Sequence, residues 1–350
     1  MTKLSGPFPR NRRTDSFERR VASSLQGRIV FAEPLVIACS GGPDSVSLLV
    51  SVCRAMPSSS IIAAYFDHRL RSEFETQADA VFVRELAEKL SVEFAVGCSE
   101  FPIASSEASA RVARYRWLGS ILSQEGAVTL LTGHTRDDQA ETVLLNLARG
   151  TGLRGARGMR LESPWPVAMS GDKAMRLLRP LLGVTRSEID TYLEALSLEA
   201  RSDSTNETLI YARNRVRHQV LPALQEVNVE VREHLARFAD RVDEADLALE
   251  VWAEREFAAI GAVRGNIADI ERRPLRELPA AVAAYVLEIA ASRIGLELNA
   301  RQINTLLECT ARRGAHCDLA DGRAWTDDHK LLLQIGSKIE EEDRNAIASD

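Results

Sequence analysis

Leu35-Val-Ile-Ala-Cys-Ser-Gly-Gly-Pro-Asp-Ser-Val-Ser-Leu-Leu-Val50 decides the fold. It opens on a short apolar run suited to a buried strand and closes on a run suited to a helix. Between them lies Ser40-Gly41-Gly42-Pro43-Asp44-Ser45. Gly41 and Gly42 permit positive φ and let backbone N–H groups approach an anion. The helix that follows adds its unsatisfied N–H groups and the positive end of its dipole. Pro43 suits a first helical turn, where its missing N–H costs nothing. Ser40 and Ser45 can donate hydroxyl hydrogen bonds. Asp44 would repel a phosphate unless a cation bridges the two, which implies Mg²⁺. A Walker A loop is excluded, because its lysine is absent. A lone Ser-Gly-Gly turn could join any strand to any helix, but the whole S-G-G-x-D-S after a first strand is specific.

Working outward, further apolar runs read as strands at Ile61–Phe66, Val92–Val96 and Val128–Thr132. Val83, Leu86, Ala87 and Leu90 recur at helical spacing, as do Val112, Tyr115 and Leu122. This alternation predicts an α/β fold, a doubly wound parallel sheet with helices on both faces. Thr185 and Glu188 make a capping box for a helix whose buried stripe is Ile189, Tyr192, Leu193 and Leu196. From about Arg213 to Ala291 the pattern is almost wholly helical. A helix near Arg301–Cys309 and extended runs at Cys317–Leu319 and Leu331–Gln334 follow. The expected organisation is a flexible basic extension (1–20), a catalytic α/β domain (21–220), a helical domain with a small β element (221–337) and a flexible acidic tail (338–350).

With 350 residues the chain exceeds one ordinary domain. No apolar run reaches the roughly 18 residues of a membrane span, and the Arg-rich start lacks the core of a secretory signal. Cys39, Cys53, Cys98, Cys309 and Cys317 are scattered with no C-x-x-C, which points to the reducing cytoplasm rather than a disulfide frame. Cys309, His316 and Cys317 fit no standard zinc spacing. A net charge of −6 argues against a uniformly basic nucleic-acid binder. Local basic clusters nevertheless occur at Arg149, Arg154, Arg157 and Arg160, and at Arg213, Arg215, Arg217 and His218, and such tracks can hold phosphate on an acidic protein.

The S-G-G-P-D-S segment resembles the PP-loop of ATP pyrophosphatases, which cleave ATP to AMP and pyrophosphate while adenylating a substrate oxygen. Later segments narrow the branch: Phe66-Asp67-His68-Arg69-Leu70-Arg71, Ala110-Arg111-Val112-Ala113-Arg114-Tyr115, Thr132-Gly-His-Thr-Arg-Asp-Asp-Gln-Ala-Glu-Thr142, Arg149-Gly-Thr-Gly-Leu-Arg-Gly155, Arg179-Pro-Leu-Leu182, Asp203-Ser-Thr-Asn206 and Arg213-Asn-Arg-Val-Arg-His218. In this order, from roughly Leu35 to Pro222, they resemble the tRNA(Ile)-lysidine synthase family. The C-terminal third matches only loosely, around Asp318–Arg323.

The resemblance implies a reaction. ATP adenylates the C2 oxygen of the wobble cytidine in a tRNA(Ile) with a CAU anticodon, and free L-lysine then attacks C2 to give lysidine. It further implies ATP on Ser40–Ser45 and Mg²⁺ on Asp44. Lysine falls to Asp137, Asp138 and Glu141, which suit an ammonium whose pKa is near ~10.4. Arg111 and Arg114 would neutralise phosphates or the adenylate, so that Asp44, Asp138, Glu141 and Arg111 form the catalytic set. Arg154, Arg157, Arg213, Arg215 and Arg217 would meet the tRNA backbone, with the C-terminal domain also on tRNA. Blander readings stand beside these: Thr135 and Asp138 fit a capping box, the arginines fit solvated helix surfaces, and His68 and His134 fit structural hydrogen-bonders. A PP-loop thiolase is disfavoured by the missing cysteine pair, an amidotransferase synthetase by the missing ammonia source. A non-catalytic tRNA-binding paralogue is disfavoured by the intact polar motifs. A homodimer stays open.

Overall fold

The computed structural model describes residues 7–29, 33–69, 73–99, 107–167, 174–201 and 212–336. Leu70, Arg71, the Asp203–Asn206 motif and the acidic tail lie outside the described residues. The chain divides into two compact units, Met1–Val242 and Asp243–Asp350.

In the first unit α1 (Arg12–Leu25) precedes β1 (Leu35–Ala38), α2 (Pro43–Ala55), β2 (Ile61–Asp67), α3 (Glu73–Leu90), β3 (Glu93–Cys98), α4 (Glu107–Gln124) and β4 (Thr129–Leu131). Then come α5 (Arg136–Ala148), α6 (Leu153–Ala156), β5 (Glu162–Pro164), β6 (Arg176–Leu178), α7 (Arg186–Leu196), α8 (Ala212–Arg215) and α9 (Leu221–Val227). The sheet order is β3-β2-β1-β4-β6-β5, parallel except for the edge strand β5. Alternate strand residues face opposite layers, so both faces must be apolar. Leu35, Ile37, Ile61, Ala63, Leu131 and Leu178 pack with residues of α1, α2, α3 and α7. Val36, Ile62, Ala64, Leu130 and Leu177 pack with Tyr115, Leu118 and Leu122 of α4. Each buried Val, Leu or Ile side chain among them contributes about 1.5–3 kcal/mol. The helix expected after Thr185 forms with its capping box, and all four stripe residues are buried.

Two expectations are corrected here. The stretch before residue 20 is not wholly a flexible extension. Asn11 and Thr14 cap α1 reciprocally, Phe17, Val21 and Leu25 at four-residue spacing enter the core, and Phe17 stacks on Tyr192 at 4.1 Å. The first unit also continues past 220, because Leu221 of α9 is buried with Ala140 of α5 and Val216.

The second unit takes up α10 (Val231–Ile260) from Asp243 onward, then β7 (Gly261–Arg264), β8 (Ile267–Glu271), α11 (Arg272–Glu277), α12 (Ala280–Arg293), α13 (Ala300–Cys309), β9 (His316–Leu319), β10 (Gly322–Thr326) and β11 (Lys330–Ile335). The strands form an antiparallel sheet, β7-β8-β11-β10-β9. Its core joins Ala268, Ile270, Leu331 and Leu333 to Phe257, Val286, Leu287 and Leu306. The stretch from Arg213 to Ala291, expected to be almost wholly helical, is interrupted by the β7–β8 hairpin. Gly265 turns the chain at φ +62°, and Ala268 and Ile270 of β8 are both buried in the core of this unit. Among the described residues no helix is long and apolar enough to cross a membrane.

Candidate active site

β1 and β4 are neighbours, and their connections leave in opposite directions, through α2 toward β2 and through α5 toward β6. Open α/β sheets bind ligands at such a switch point, beyond the carboxyl ends of the strands. The Ser40–Ser45 loop and the Gly133–Asp138 segment both sit there. They touch: a Cβ on Gly133 would stand 2.9 Å from the carbonyl carbon and oxygen of Asp44.

Within the loop only Gly41 uses positive φ, at +86°, whereas Gly42 is extended at φ −72° and N-caps α2. Pro43 occupies the first turn as expected. α5, α7 and α13 each start with a full capping box, but α2 has no side-chain cap, which leaves its first-turn N–H groups for an anion. The Ser45 hydroxyl works inside the loop: it donates to the Gly42 carbonyl at 2.9 Å and accepts the Ser40 N–H at 3.1 Å. Cys39 is buried beneath it.

Asp44 lies 3.2 Å from Arg186. Burial pushes its carboxyl up to about 6, Asp138 and Asp137 push the same way, and Arg186 and Arg217 pull against them. Asp137 accepts from Arg232 at 3.1 Å and from the Arg186 backbone N–H at 3.0 Å. Asp44 and Asp137 are thus each paired with an arginine side chain, Arg186 and Arg232.

Asp138 and Glu141 share one face of α5, as their spacing predicts, and they meet arginines there. Glu141 is buried and accepts from Arg213 Nε at 2.8 Å and from Arg217 Nε at 2.6 Å. Asp138 accepts from Arg213 at 2.8 Å and Arg217 at 3.3 Å, while its other oxygen takes the N–H and hydroxyl of Thr135. Burial works against the Asp138 carboxylate, but Arg213 and the hydrogen bonds from Thr135 outweigh it and hold it below the usual range. The capping-box reading of Thr135 and Asp138 is realised, and the same carboxylate also serves the ion-pair cluster. Arg213 and Arg217, expected to meet the tRNA backbone, are both paired with these carboxylates in the structure. A π-helical stretch, Val216–Val220, carries Arg217.

His134 bonds Thr132 Oγ1 at 2.8 Å, and burial, reinforced by Arg179, pushes its imidazole down to about 3, so it is neutral. Arg111 is exposed, and both it and Arg114 lie over the Tyr115 ring, at 4.9 and 5.2 Å. Buried Arg114 Nε, Tyr115 Oη and Arg179 Nε have no hydrogen-bond partner. Arg154 and Arg215 are exposed, and Arg157 is half-buried. Gln139, within the same motif, has a structural role. It donates to the carbonyls of Arg157 and Met159 and accepts the Met159 N–H at 2.7 Å, tying the basic loop to α5. Arg186 and Arg232 also escaped sequence reading, since no local motif marks them. Among the described residues no three His, Cys, Asp or Glu side chains gather as metal ligands, at Cys309–Cys317 or elsewhere.

Comparison with known proteins matches residues 14–224 to the PP-loop domain family. The tRNA(Ile)-lysidine synthase of Synechococcus sp. is 36% identical over 77% of this chain and 81% of its own length. That of Streptomyces coelicolor is 38% identical, covering 75% of this chain and 72% of the relative. That of Symbiobacterium thermophilum is 35% identical over 77% of this chain, which spans only 57% of that longer protein. Among solved structures, the U34-tRNA thiolase NcsA from Methanococcus maripaludis with its [4Fe-4S] cluster is similar in fold, with TM-score 0.52, 18% identity and coverage of 66% of this chain and 79% of that one. With the loop after β1, the acidic start of α5 and these relatives in agreement, the chain belongs to the tRNA(Ile)-lysidine synthase family, built on a PP-loop domain.

Proposed function

We propose that this chain joins free L-lysine to C2 of the wobble cytidine in a tRNA(Ile) with a CAU anticodon, consuming ATP. The observation that carries this reading is the Gly133–Asp44 contact. It sets an uncapped anion cradle directly against a helix start rich in carboxylates.

The chemistry runs in two steps. The cytidine C2 oxygen attacks the α-phosphorus of ATP and pyrophosphate leaves. The lysine amine, having lost a proton, then attacks C2, and the C2–O bond breaks to release AMP. The uncapped N–H groups of α2 and the turn at Gly41 hold phosphate oxygens. Asp44, with its raised pKa beside Asp137 and Asp138, would hold Mg²⁺ against those phosphates; one or two carboxylates plus substrate oxygens is the usual Mg²⁺ arrangement. Bound there, the ion would neutralise charge developing on the phosphates. The buried, unpartnered Arg114 Nε supplies a further donor for an anionic group, and Arg111 adds positive charge beside it.

Asp138 and Glu141 bind the lysine ammonium and orient the amine. A carboxylate has about four lone-pair sites. Asp138 fills all of them with Thr135, Arg213 and Arg217, and Glu141 already accepts from both arginines. Lysine therefore enters by displacing guanidinium N–H groups, which turn to incoming phosphates. Arg154, Arg157 and Arg215 meet the tRNA backbone, and the second unit takes part in tRNA binding. The cytoplasm suits both substrates and the five free thiols.

The test supplies a CAU-anticodon tRNA(Ile) transcript, ATP, Mg²⁺ and labelled lysine. Label at the wobble base with stoichiometric AMP and pyrophosphate is expected; pyrophosphate release without label would reject the lysine assignment.

A further inference from the structure

An anion cradle works only if its N–H groups face the ligand and its carbonyls do not, because a carbonyl oxygen aimed at a phosphate repels it. At Gly41 the left-handed backbone sets that orientation. Its carbonyl is captured by the backbone N–H of Arg201 at 3.0 Å. Arg201, which follows α7, also lays its side chain along the loop: its Cγ stands 3.5 Å from where a Gly41 Cβ would be, beside Phe82 and Val83 of α3. The Arg201 guanidinium bonds Asp79 of α3 through Nε at 2.9 Å, and the Asp79 side chain is only 4% exposed. Asp79 belongs to none of the motifs that mark the site in the sequence. A buried carboxylate is costly unless paired, and here the pairing arginine is the residue whose main chain grips the loop.

We propose that Asp79 and Arg201 are positioning residues for ATP: Asp79 anchors Arg201, and Arg201 holds the Gly41 carbonyl away from the phosphate site. This inference rests on the reading of Ser40–Ser45 as the ATP phosphate loop. Neither residue touches substrate. Released from Asp79, Arg201 lets the Gly41–Gly42 peptide rotate, so the loss falls on ATP alone.

The experiment measures binding of a non-hydrolysable ATP analogue by calorimetry, separate Michaelis constants for ATP, lysine and tRNA, and melting temperature. The variants are Asp79→Ala, Arg201→Ala, the double variant and the conservative Asp79→Asn, which keeps a hydrogen-bond acceptor. The expected result is a rise of about tenfold in Kd and KM for ATP in either alanine variant, with lysine and tRNA constants within about twofold. The double variant should be no worse than Arg201→Ala, because the two act through one contact. Asp79→Asn should recover part of the loss. Unchanged ATP constants with a lowered melting temperature would overturn the proposal, as would additive losses in the double variant. Should Asp79→Ala not fold, Arg201→Ala and the double variant, which leaves no unpaired carboxylate behind, decide, since the Arg201 side chain is 45% exposed. A wild-type chain that binds no ATP analogue would instead overturn the reading of the loop itself.

Discussion

Arg217 Nε lies 2.6 Å from Glu141 Oε1, so a carboxylate expected to receive lysine is already engaged by an arginine expected to receive RNA. The two expectations are compatible if one ligand releases the other's partner. Linkage then requires the coupling to be reciprocal. Lysine affinity, measured by calorimetry, should rise about five- to tenfold when tRNA and an ATP analogue are present, and Arg217→Gln should erase most of that gain. Equal lysine affinity with and without the phosphates would show that the ion-pair cluster does not open.

Gly133→Ala tests the junction between loop and helix. Its Cβ would meet Asp44 backbone at 2.9 Å, and backbone cannot step aside as a flexible side-chain tip can. Overpacking of this kind costs about 1–3 kcal/mol. The larger effect is expected on chemistry, since a misplacement of ~1 Å can cost about a hundredfold in rate. Pyrophosphate release should fall by that order while the circular dichroism spectrum is retained. Wild-type turnover in a folded Gly133→Ala protein would contradict the contact.

Asp44→Asn separates function from stability. Burial raises the Asp44 pKa to about 6, above its unfolded value near ~3.9, so its contribution to folding is fullest at acid pH and is lost as pH rises through about 6. Without divalent cations the asparagine variant should therefore melt about 1–3 °C above wild type at pH 8 and close to it at pH 4. Its pyrophosphate release should be abolished at both. A variant that melts lower at pH 8 would place Asp44 among stabilising charges instead.

Replacing Arg154 and Arg157 by alanine should weaken tRNA binding and flatten its salt dependence by up to about one log unit per lost phosphate contact. ATP binding should barely change, because the phosphate loop is a separate element. Gln139→Ala, which frees the 157–159 backbone from α5, should weaken tRNA binding without changing that slope, since it removes no positive charge. An unaltered slope in the double arginine variant would return these residues to the solvated surface.

What this chain's sequence determined by itself is its local order: the strand Leu35–Ala38 running into the glycine loop, the apolar runs of β2, β3 and β4, the capped helix after Thr185, and the acidic start of α5. Each is written in periodicity or turn chemistry over a few neighbouring residues, where hydrophobic spacing and backbone sterics act. The short β5 and β6, the docked α1 and the β7–β8 hairpin were less legible, because three- to five-residue strands carry little periodicity and α1 is held by partners such as Tyr192 far along the chain. Only the tertiary structure decided which charges meet. Arg213 and Arg217 lie more than seventy residues from Glu141, Arg186 still further from Asp44, and Arg201 far from both Asp79 and Gly41. An ion pair depends on distance and burial at its ends, and those are set by how strands order in the sheet and helices pack upon it.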